Sequence, residues 1–570
     1  MSDRVEAGGL SVRAIPGTRT VLLAMDAERE ARRGLLGFSI GKRGRAGSIA
    51  WQRGFKFFEQ LVPSPQPGER RSMLEHPWQS FLWGDYSATP GGSVTYVVRP
   101  MRGTPAAPEY GPDIEIPVRL QTAETGDQGL YFNRGAIPSQ AFAERFGNVG
   151  PTEEEQDDPT NDKVEWLSRG LLEGALAFIG QANGARFQLL VGAYEFQYRP
   201  ILEALKIAAG SGAKVHIVYD GGDRQRDETI KPTDISSANA AAIEAIGLHR
   251  ARNVKLFART RYSSITHNKF IVLLEGGAPI QVWTGSTNFT RSGFLGQSNV
   301  AHVVRVPEVA SAYARYWELL ATDPPSRSFK TEVMALSPAP PAGPGADYTT
   351  IFSPRRAGMM AWYADRVGEA RSTVMYTAAF GIDKQLAAKF ADDRDFLRFV
   401  LMERRDRNAD EQALLERDRD TAIALGEKLN RDTIRLKIEG HALDEWFARE
   451  EHFRTRGNIF YIHTKYILID ALGNDPLIFT GSANFSDNSV ESNDENMLLL
   501  QGEAARQVAP IYVNEFSRLF NHLYFRTIAV KLAKAGTART DIAFLEPNDT
   551  WVRSHFRSGS LHDKRRRLFR

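Results

Sequence analysis

The sequence contains no cysteine among its 570 residues. Disulfide bridges, thiolate metal sites and cysteine nucleophiles are therefore excluded. A strong charge imbalance is also absent, because the formal net charge is only +3 at pH 7, and composition alone does not indicate a nucleic-acid-binding protein. No apolar run is long enough to span a bilayer, and the first residues lack the apolar core of a signal peptide. We therefore expect a cytoplasmic protein without a transmembrane segment, although export without a cleaved signal stays open.

What is present is the composition of an ordinary globular protein, with 42% hydrophobic and 25% charged residues. A chain of this length is too long for one hydrophobic core, and two to four domains are expected. Short alternating stretches bounded by turn residues fill residues 1–150 and predict an antiparallel β-sandwich domain, whose binding partner is unknown. Candidates for its core are Trp78, Phe81, Trp83 and Tyr86.

The pattern changes after residue 150. The acidic stretch 151–162 predicts a solvated linker in which Asp162 could cap the next helix. From there on, helices alternate with buried strands, and the first two helices are predicted at 163 to about 182 and at about 199–210. This alternation predicts an α/β fold with a largely parallel sheet covered on both faces. The same order of elements occurs twice, and the chain thus divides into a first half at 163–335, a Pro-rich linker at 336–347, a second half at 348–530 and a basic C-terminal extension at 531–570.

One motif occurs twice, with the copies 196 residues apart. Each copy has a His and a Lys two positions apart, and Gly-Ser-x-Asn-Phe begins eighteen residues after the His. A single His-x-Lys is ordinarily just a half-exposed strand, but two complete copies at identical spacing indicate shared chemistry. The motif residues are His267, Lys269, Ser286 and Asn288 in the first copy, and His463, Lys465, Ser482 and Asn484 in the second.

These residue types suit a phosphate. Alternation along a strand places His267 and Lys269 on one face, and His463 and Lys465 likewise. The lysine neutralises a non-bridging oxygen, while the imidazole attacks phosphorus or protonates a leaving oxygen. The Gly-Ser-x-Asn segment lets the backbone approach closely and offers a hydroxyl and an amide to the same oxyanion. No cofactor is expected, and no compact His, Asp or Glu cluster suggests a metal.

Duplication predicts a mechanism if the two halves pack about a pseudo-twofold axis. One histidine then forms a covalent phosphohistidine, while the other protonates the leaving alcohol and later activates water. The lysines and asparagines hold the phosphoryl oxygens, where charge gathers in the transition state. Both copies lie on one chain, so a dimer is not needed to complete the site. Tyr194 and Glu195, which end a core strand, could reach the site or simply pack at the sheet end.

The motifs resemble those of the phospholipase D superfamily, H-x-K-x4-D and G-S-x-N-F, over roughly 163–530. The second copy matches in full, with His463, Lys465, Asp470, Ser482, Asn484 and Glu495. By this resemblance, Asp470 joins the histidines and lysines in the catalytic set, and the serines, asparagines and Glu495 support the phosphate.

The first copy departs from the family pattern at two positions. Leu274 stands where Asp470 is expected, and Asn299 stands where Glu495 is expected. In the family these acids orient a histidine or brace local structure, so Asn299 is a candidate supporting residue here. The resemblance also implies His267 as the nucleophile and His463 as the acid.

The class of phosphodiester stays open. A phospholipid predicts peripheral membrane contact through apolar loops. Phe294-Leu295 and Trp446-Phe447 are candidates, and the alternative for both pairs is that they are simply buried. A nuclease predicts a basic groove, for which the candidates are Arg224, Arg226, Arg252, Arg259, Arg261 and the tail Lys564-Arg565-Arg566-Arg567. We favour a phospholipase D-type phosphodiesterase over a nuclease acting on DNA or RNA. A non-catalytic phosphate-binding protein and a transferase that uses an alcohol instead of water are further alternatives.

Overall fold

The computed structural model describes most of the chain, namely residues 4–44, 46–66, 68–135, 140–147, 149–225, 227–338, 345–405, 408–426, 462–534 and 544–570. An N-terminal part with two larger antiparallel sheets and one two-stranded sheet is followed by two α/β halves, each built on one large sheet. Within the described ranges, no helix is both long and apolar enough to cross a membrane.

The N-terminal part consists of short strands separated by turns. They are β1 (Arg4–Ala7), β2 (Leu10–Pro16), β3 (Val21–Ala27), β4 (Gly37–Arg43), β5 (Ile49–Trp51), β6 (Arg53–Gly54), β7 (Arg71–Ser72), β8 (Leu82–Asp85), β9 (Ser93–Thr104), β10 (Ala107–Tyr110) and β11 (Ile114–Arg119). One antiparallel sheet has the order β1-β2-β3-β8, and another has the order β10-β9-β4-β5, with β11 also paired to β9. Buried residues of both sheets, such as Val12 and Ile40, form one hydrophobic cluster. The prediction of antiparallel sheets in this region is confirmed.

The first half is built on an eight-stranded sheet with the order β12-β13-β21-β20-β19-β14-β15-β18. The strands of this half are β12 (Glu124–Thr125), β13 (Gln128–Phe132), β14 (Phe187–Ala193), β15 (Lys214–Asp220), β16 (Asp223–Arg224), β17 (Ile230–Lys231), β18 (Val254–Arg259), β19 (Lys269–Glu275), β20 (Ala278–Gly285) and β21 (Val300–Val304). Its helices are α1 (Gln140–Phe146), α2 (Glu153–Gln156), α3 (Asp162–Ser168), α4 (Leu171–Gly180), α5 (Arg199–Gly210), α6 (Asp234–Ile246), α7 (Pro307–Ala321) and α8 (Ser326–Leu336). Because β12 and β13 belong to this sheet, the predicted boundary at residue 150 falls too late in the chain.

The second half repeats this sheet with the order β22-β28-β27-β26-β23-β24-β25. Its strands are β22 (Tyr348–Ser353), β23 (Thr373–Ala378), β24 (Leu397–Met402), β25 (Thr421–Leu425), β26 (Tyr466–Ile469), β27 (Leu477–Gly481) and β28 (Glu495–Leu500). Its helices are α9 (Met359–Gly368), α10 (Lys384–Ala391), α11 (Ala409–Leu415), α12 (Asp487–Glu491) and α13 (Gly502–Lys534). The strand order matches that of β13 to β18 in the first sheet, which supports the predicted duplication.

Both large sheets are mixed, and the prediction of a largely parallel sheet is wrong. In the first half, β14, β15 and β18 run parallel to one another, whereas β19, β20 and β21 are antiparallel neighbours. Only Gly276 and Gly277 separate β19 from β20, which is too short for the crossover that parallel pairing needs. The repeated motifs therefore lie at the antiparallel strands.

The predicted linker contains local structure of its own. Thr152 caps α2, and its hydroxyl accepts from the N–H of Glu155. The N-cap of α3 is Asn161, one residue before the predicted Asp162, because the Asn161 side chain accepts from the N–H of Lys163 at 2.9 Å.

The C-terminal extension packs against the N-terminal part and against the second half. It contains helices α14 (Thr550–Phe556) and α15 (Leu561–Phe569). Trp551 is buried and stacks on Phe81 at 5.4 Å in the N-terminal cluster. In the same cluster Trp83 is buried, whereas Trp78, also predicted for this core, is 36% exposed. The basic tail is ion-paired within the protein, because Lys564 binds Asp395 at 2.6 Å and Arg566 binds Asp26 at 2.5 Å.

Candidate functional site

The two motif copies meet where the halves contact each other. β19 begins at Lys269 and β26 begins at Tyr466, so each His-x-Lys lies at the very start of a strand rather than inside it. Thr266 forms a parallel bridge with Asp494, and Ser298 forms one with Ile462. Thr266 and Ile462 are 196 residues apart, and so are Ser298 and Asp494. The two bridges are therefore equivalent, and the contact has the expected pseudo-twofold form.

Each histidine is held by the opposite half. The His267 N–H donates to the Asp494 carbonyl at 2.9 Å, and the His463 N–H donates to the Ser298 carbonyl at 3.3 Å. Nδ1 of His267 lies 2.9 Å from Oε2 of Glu495. Nδ1 of His463 lies 2.9 Å from Oδ1 of Asn299. Glu495 and Asn299 occupy equivalent positions in the two halves, so the same geometry is built with different charge.

The side-chain amide of Asn299 determines the tautomer of His463. Nδ2 of Asn299 donates to the Gly293 carbonyl at 2.8 Å, which directs Oδ1 toward His463. Since Oδ1 can only accept, Nδ1 of His463 carries the hydrogen and Nε2 is the reactive nitrogen. The carboxylate of Glu495 imposes the same tautomer on His267. The site therefore offers the Nε2 atoms of both histidines to a substrate.

Two buried lysines accompany the histidines. Nζ of Lys269 donates to the His267 carbonyl at 2.7 Å, and Nζ of Lys465 donates to the His463 carbonyl at 2.6 Å. Burial lowers the pKa of Lys269 to about 7 and lowers the pKa of Lys465 well below its usual value. An anion at this point would stabilise both ammonium groups, as expected for a phosphate site.

The Gly-Ser-x-Asn segments bring their backbone against the next strand. A Cβ on Gly285 would lie 2.2 Å from the Val300 carbonyl oxygen, and one on Gly481 would lie 2.3 Å from the Asn496 oxygen, so only glycine fits. The Asn288 side chain is buried and that of Asn484 is half-buried. Oδ1 of both asparagines has no hydrogen-bond partner among the described residues.

The motif serines are already bonded within the protein. Oγ of Ser286 donates to Oδ1 of Asn299 at 2.8 Å and accepts from the Val300 N–H at 3.1 Å. Oγ of Ser482 accepts from the Asn496 N–H at 2.9 Å. These bonds brace the motif segments, and the role of the hydroxyls as donors to a substrate stays a prediction.

The structure does not bring Asp470 to the cluster. It lies at the far end of β26 from Lys465, where its carboxylate accepts from the N–H groups of Ser372 at 2.7 Å and Thr373 at 3.0 Å. This contact braces the chain before β23. At the equivalent position in the first half, Leu274 is buried in the hydrophobic core, which explains how that half dispenses with the acid.

The structure adds four residues to the site. The Tyr194 ring lies 5.1 Å from the His267 ring, and Glu195 accepts a hydrogen bond from Nδ2 of Asn288. Fully buried Arg259 binds Asp494 at 3.0 Å through Nε. The strand end at 194–195 already suggested the first two, but no motif indicated that Arg259 would reach the residue before Glu495.

Some residues predicted to meet a bilayer or to line a basic groove can be compared with the structure. Phe294 and Leu295 are buried, with Phe294 packed on Tyr198 at 5.4 Å, so the prediction that this pair meets a bilayer is wrong. Arg259, a candidate for a basic groove, is enclosed in ion pairs with Asp494 and Asp323. Trp446-Phe447 and Arg226 lie outside the described residues.

The crossed halves and their two His-Lys pairs define a duplicated fold with one composite site at the contact between the halves. Residues 178–320 and 387–520 match the family model described as cardiolipin synthase, phospholipase D-like domain. The chain belongs to the phospholipase D superfamily. No curated protein sequence matches the chain.

Several solved structures resemble this chain, with low sequence identities and low TM-scores. Phosphatidylserine synthase from Haemophilus influenzae Rd KW20 is 12% identical, with 66% of this chain and 94% of that one covered and a TM-score of 0.40. Nuc from Salmonella typhimurium, a phospholipase D family member, is 25% identical, with 26% and 86% covered and a TM-score of 0.21. Polyphosphate kinase from Porphyromonas gingivalis is 11% identical, with 62% and 48% covered and a TM-score of 0.37. The chain thus spans about half the length of the kinase.

Proposed function

We propose that this protein hydrolyses phosphodiesters without a metal, through a covalent phosphohistidine on His267. The crossed pairing of the two histidines, with Glu495 on one and Asn299 on the other, is the observation that carries the proposal. A carboxylate stabilises the positive charge that develops on an imidazole when its Nε2 bonds to phosphorus. An amide gives no such charge, so His463 releases a proton more readily and suits the role of general acid.

The reaction takes two steps. Nε2 of His267 attacks phosphorus while the bond to the leaving oxygen breaks. His463 enters this step as an imidazolium, with hydrogens on both Nδ1 and Nε2, and the leaving oxygen takes its Nε2 proton. In the second step His463 accepts a proton from water, whose oxygen attacks phosphorus as the bond to His267 breaks. The products are an alcohol and a phosphomonoester, and both histidines return to their starting states.

The remaining residues of the cluster stabilise charge on the phosphoryl oxygens. Lys269 and Lys465 are held in place by the carbonyl groups of the histidines two positions earlier. The side-chain amides of Asn288 and Asn484 act as further donors to the phosphoryl oxygens. Groups positioned before the reaction lose little energy to reorganisation, and such preorganised charge is usually the largest contribution to catalysis.

The first experiment is hydrolysis of bis(p-nitrophenyl) phosphate in excess EDTA. We expect activity in the native protein, loss of turnover in His267→Ala and His463→Ala, and no change in His249→Ala, which alters an exposed histidine. Because p-nitrophenolate leaves without an acid, His463→Ala should still release about one equivalent in a burst and retain a phosphoryl group on His267. His267→Ala should show no burst.

Each other result has a definite meaning. A burst in His267→Ala but not in His463→Ala would reverse the two roles. Turnover that EDTA abolishes would contradict the metal-independent mechanism, and no turnover by folded protein would favour a phosphate-binding protein. A panel of phospholipid vesicles, DNA and RNA then separates substrate classes, and an added primary alcohol reveals transfer instead of hydrolysis.

A further inference from the structure

A carboxylate lies among the cations that we assign to the phosphoryl group. Glu195 lies two residues after the end of β14, and its backbone is fixed by the site itself. The Tyr194 N–H donates to the Asn268 carbonyl at 2.9 Å, and the Phe289 N–H donates to the Glu195 carbonyl at 3.1 Å. The Glu195 carboxylate in turn accepts from Nδ2 of Asn288. Glu195 is therefore built into the cluster.

Its charge acts on both phosphate-binding lysines. Burial raises the pKa of Glu195, and the charges of Lys269 and Lys465 oppose that rise. Burial lowers the pKa of each lysine, and the negative charges of Glu195 and Glu495 oppose that fall. In the second half, no carboxylate among the described residues hydrogen-bonds to Asn484, the counterpart of Asn288. The acid is thus a one-sided addition to a pseudo-symmetric site.

The sum of the buried charges in the site depends on Glu195 and on the charge of the bound substrate. With substrate bound, the site contains two lysine ammonium groups and a protonated His463, against the carboxylates of Glu195 and Glu495. A phosphodiester brings one negative charge, and the buried charges then sum to zero. A phosphomonoester brings close to two negative charges at neutral pH and above, because its second pKa is about 6. The extra negative charge stays uncompensated, which is costly in a buried site.

We propose that Glu195 makes the site selective for monoanionic diesters over dianionic monoesters. This inference rests on the proposed function, since it assumes that the two-histidine cluster holds the phosphoryl group. The monoester is the product of that reaction, so the same carboxylate that admits the substrate also promotes product release. The selectivity depends on charge alone and applies to a lipid or a nucleic-acid diester alike.

Two probes of similar shape separate charge from fit. Phenylphosphonate is mainly dianionic near pH 8.5, whereas methyl(phenyl)phosphinate is monoanionic, and neither has an ester bond to cleave. Calorimetry compares their binding to the native protein, to Glu195→Gln and to the control Glu203→Gln, which alters an acid on α5 whose side chain is 41% exposed. Glutamine keeps an oxygen that can accept from Asn288, and thermal unfolding verifies the fold of each variant.

We expect the native protein to prefer the phosphinate. Glu195→Gln should raise the affinity for the phosphonate, relative to the phosphinate, by about tenfold or more. The reason is that the Glu195 carboxylate repels a dianion about twice as strongly as a monoanion. The ratio should be unchanged in Glu203→Gln. A ratio within about twofold of the native value in Glu195→Gln overturns the selectivity but leaves the two-histidine mechanism intact. Binding of neither probe by folded native protein overturns the phosphate assignment and both proposals with it.

Discussion

His267 and Glu495 lie in opposite halves of the chain, yet Nδ1 of the histidine is 2.9 Å from a carboxylate oxygen of the glutamate. At the equivalent place, His463 meets Asn299 at the same distance. The burial of Glu495 opposes its ionisation, but His267 and Lys269 together outweigh that effect and lower its pKa. The two histidine sites thus share one geometry and differ in charge.

Glu495→Gln should lower the rate of phosphoenzyme formation by about 100-fold or more, because it removes the charge that stabilises the His267 imidazolium. The rate is measured as the burst of p-nitrophenolate in rapid-quench experiments. Substrate affinity should change much less than the rate. Glu491→Gln, which alters an acid four residues earlier on α12, provides a control for a nearby charge change. A burst rate in Glu495→Gln within threefold of the native rate would show that the carboxylate has no part in the first step.

Asn299→Asp should move the alkaline limb of the pH–rate profile to higher pH. Burial lowers the pKa of His463 well below its usual value. A carboxylate in contact with Nδ1 favours the protonated imidazole and therefore raises this pKa. The profile of kcat/KM reports the pKa values of groups in the free enzyme. A profile that stays in place, in a variant that folds normally, would argue against His463 as the titrating acid.

Anion binding should take up protons near pH 8. Burial lowers the pKa of Lys269 to about 7, so this lysine is mostly neutral at pH 8 in the free protein. A bound anion stabilises the ammonium form and raises the pKa, which requires a proton from solution. Calorimetry with methyl(phenyl)phosphinate in buffers of different ionisation enthalpy measures this uptake. The share of this uptake that belongs to Lys269 is the difference between the native protein and Lys269→Met. This difference should be positive at pH 8 and should shrink near pH 5.5, where the lysine is already charged. Proton release at pH 8 would contradict the assignment.

Much of the site could be predicted from the sequence because its chemistry is local and repeated. Both His-Lys pairs and the two glycines follow from motif spacing, and the predicted helix at 199–210 coincides with α5. Longer-range relations could not be predicted. The crossed partners of the histidines depend on how two sheets pack, and Asp470 matched the motif although it braces a loop.

Other differences have equally physical origins. The helix predicted from 163 to about 182 is broken because Arg169 adopts a left-handed conformation with φ of 53° before Gly170. Strand β13 precedes residue 150, so its place in the sequence predicts that it belongs to the N-terminal domain. Its hydrogen bonds to β21 instead place it in the sheet of the first half. Sequence patterns describe the faces of an element and not the sheet that it joins.

Arg259→Met should destabilise the protein by about 3–5 kcal/mol, because it leaves Asp494 and Asp323 without their buried cation. The Asp494 carbonyl holds the His267 backbone, and the next residue, Glu495, holds its imidazole. The ion pair is therefore expected to position the nucleophile as well as stabilise the contact between the halves. Chemical denaturation measures the first effect, and the burst rate at a temperature where the variant stays folded measures the second.

A double-mutant cycle separates the energy of the Arg259–Asp494 ion pair from the other destabilising effects of each substitution. Asp494→Asn alone also breaks the pair, so Arg259→Met combined with Asp494→Asn should cost less than the sum of the two single changes. If the ion pair positions His267, the pH dependence of the burst rate should shift in each single variant, since the Glu495–His267 contact is displaced. Additive losses of stability together with an unshifted pH profile would show that Arg259 serves only to fill its place in the core.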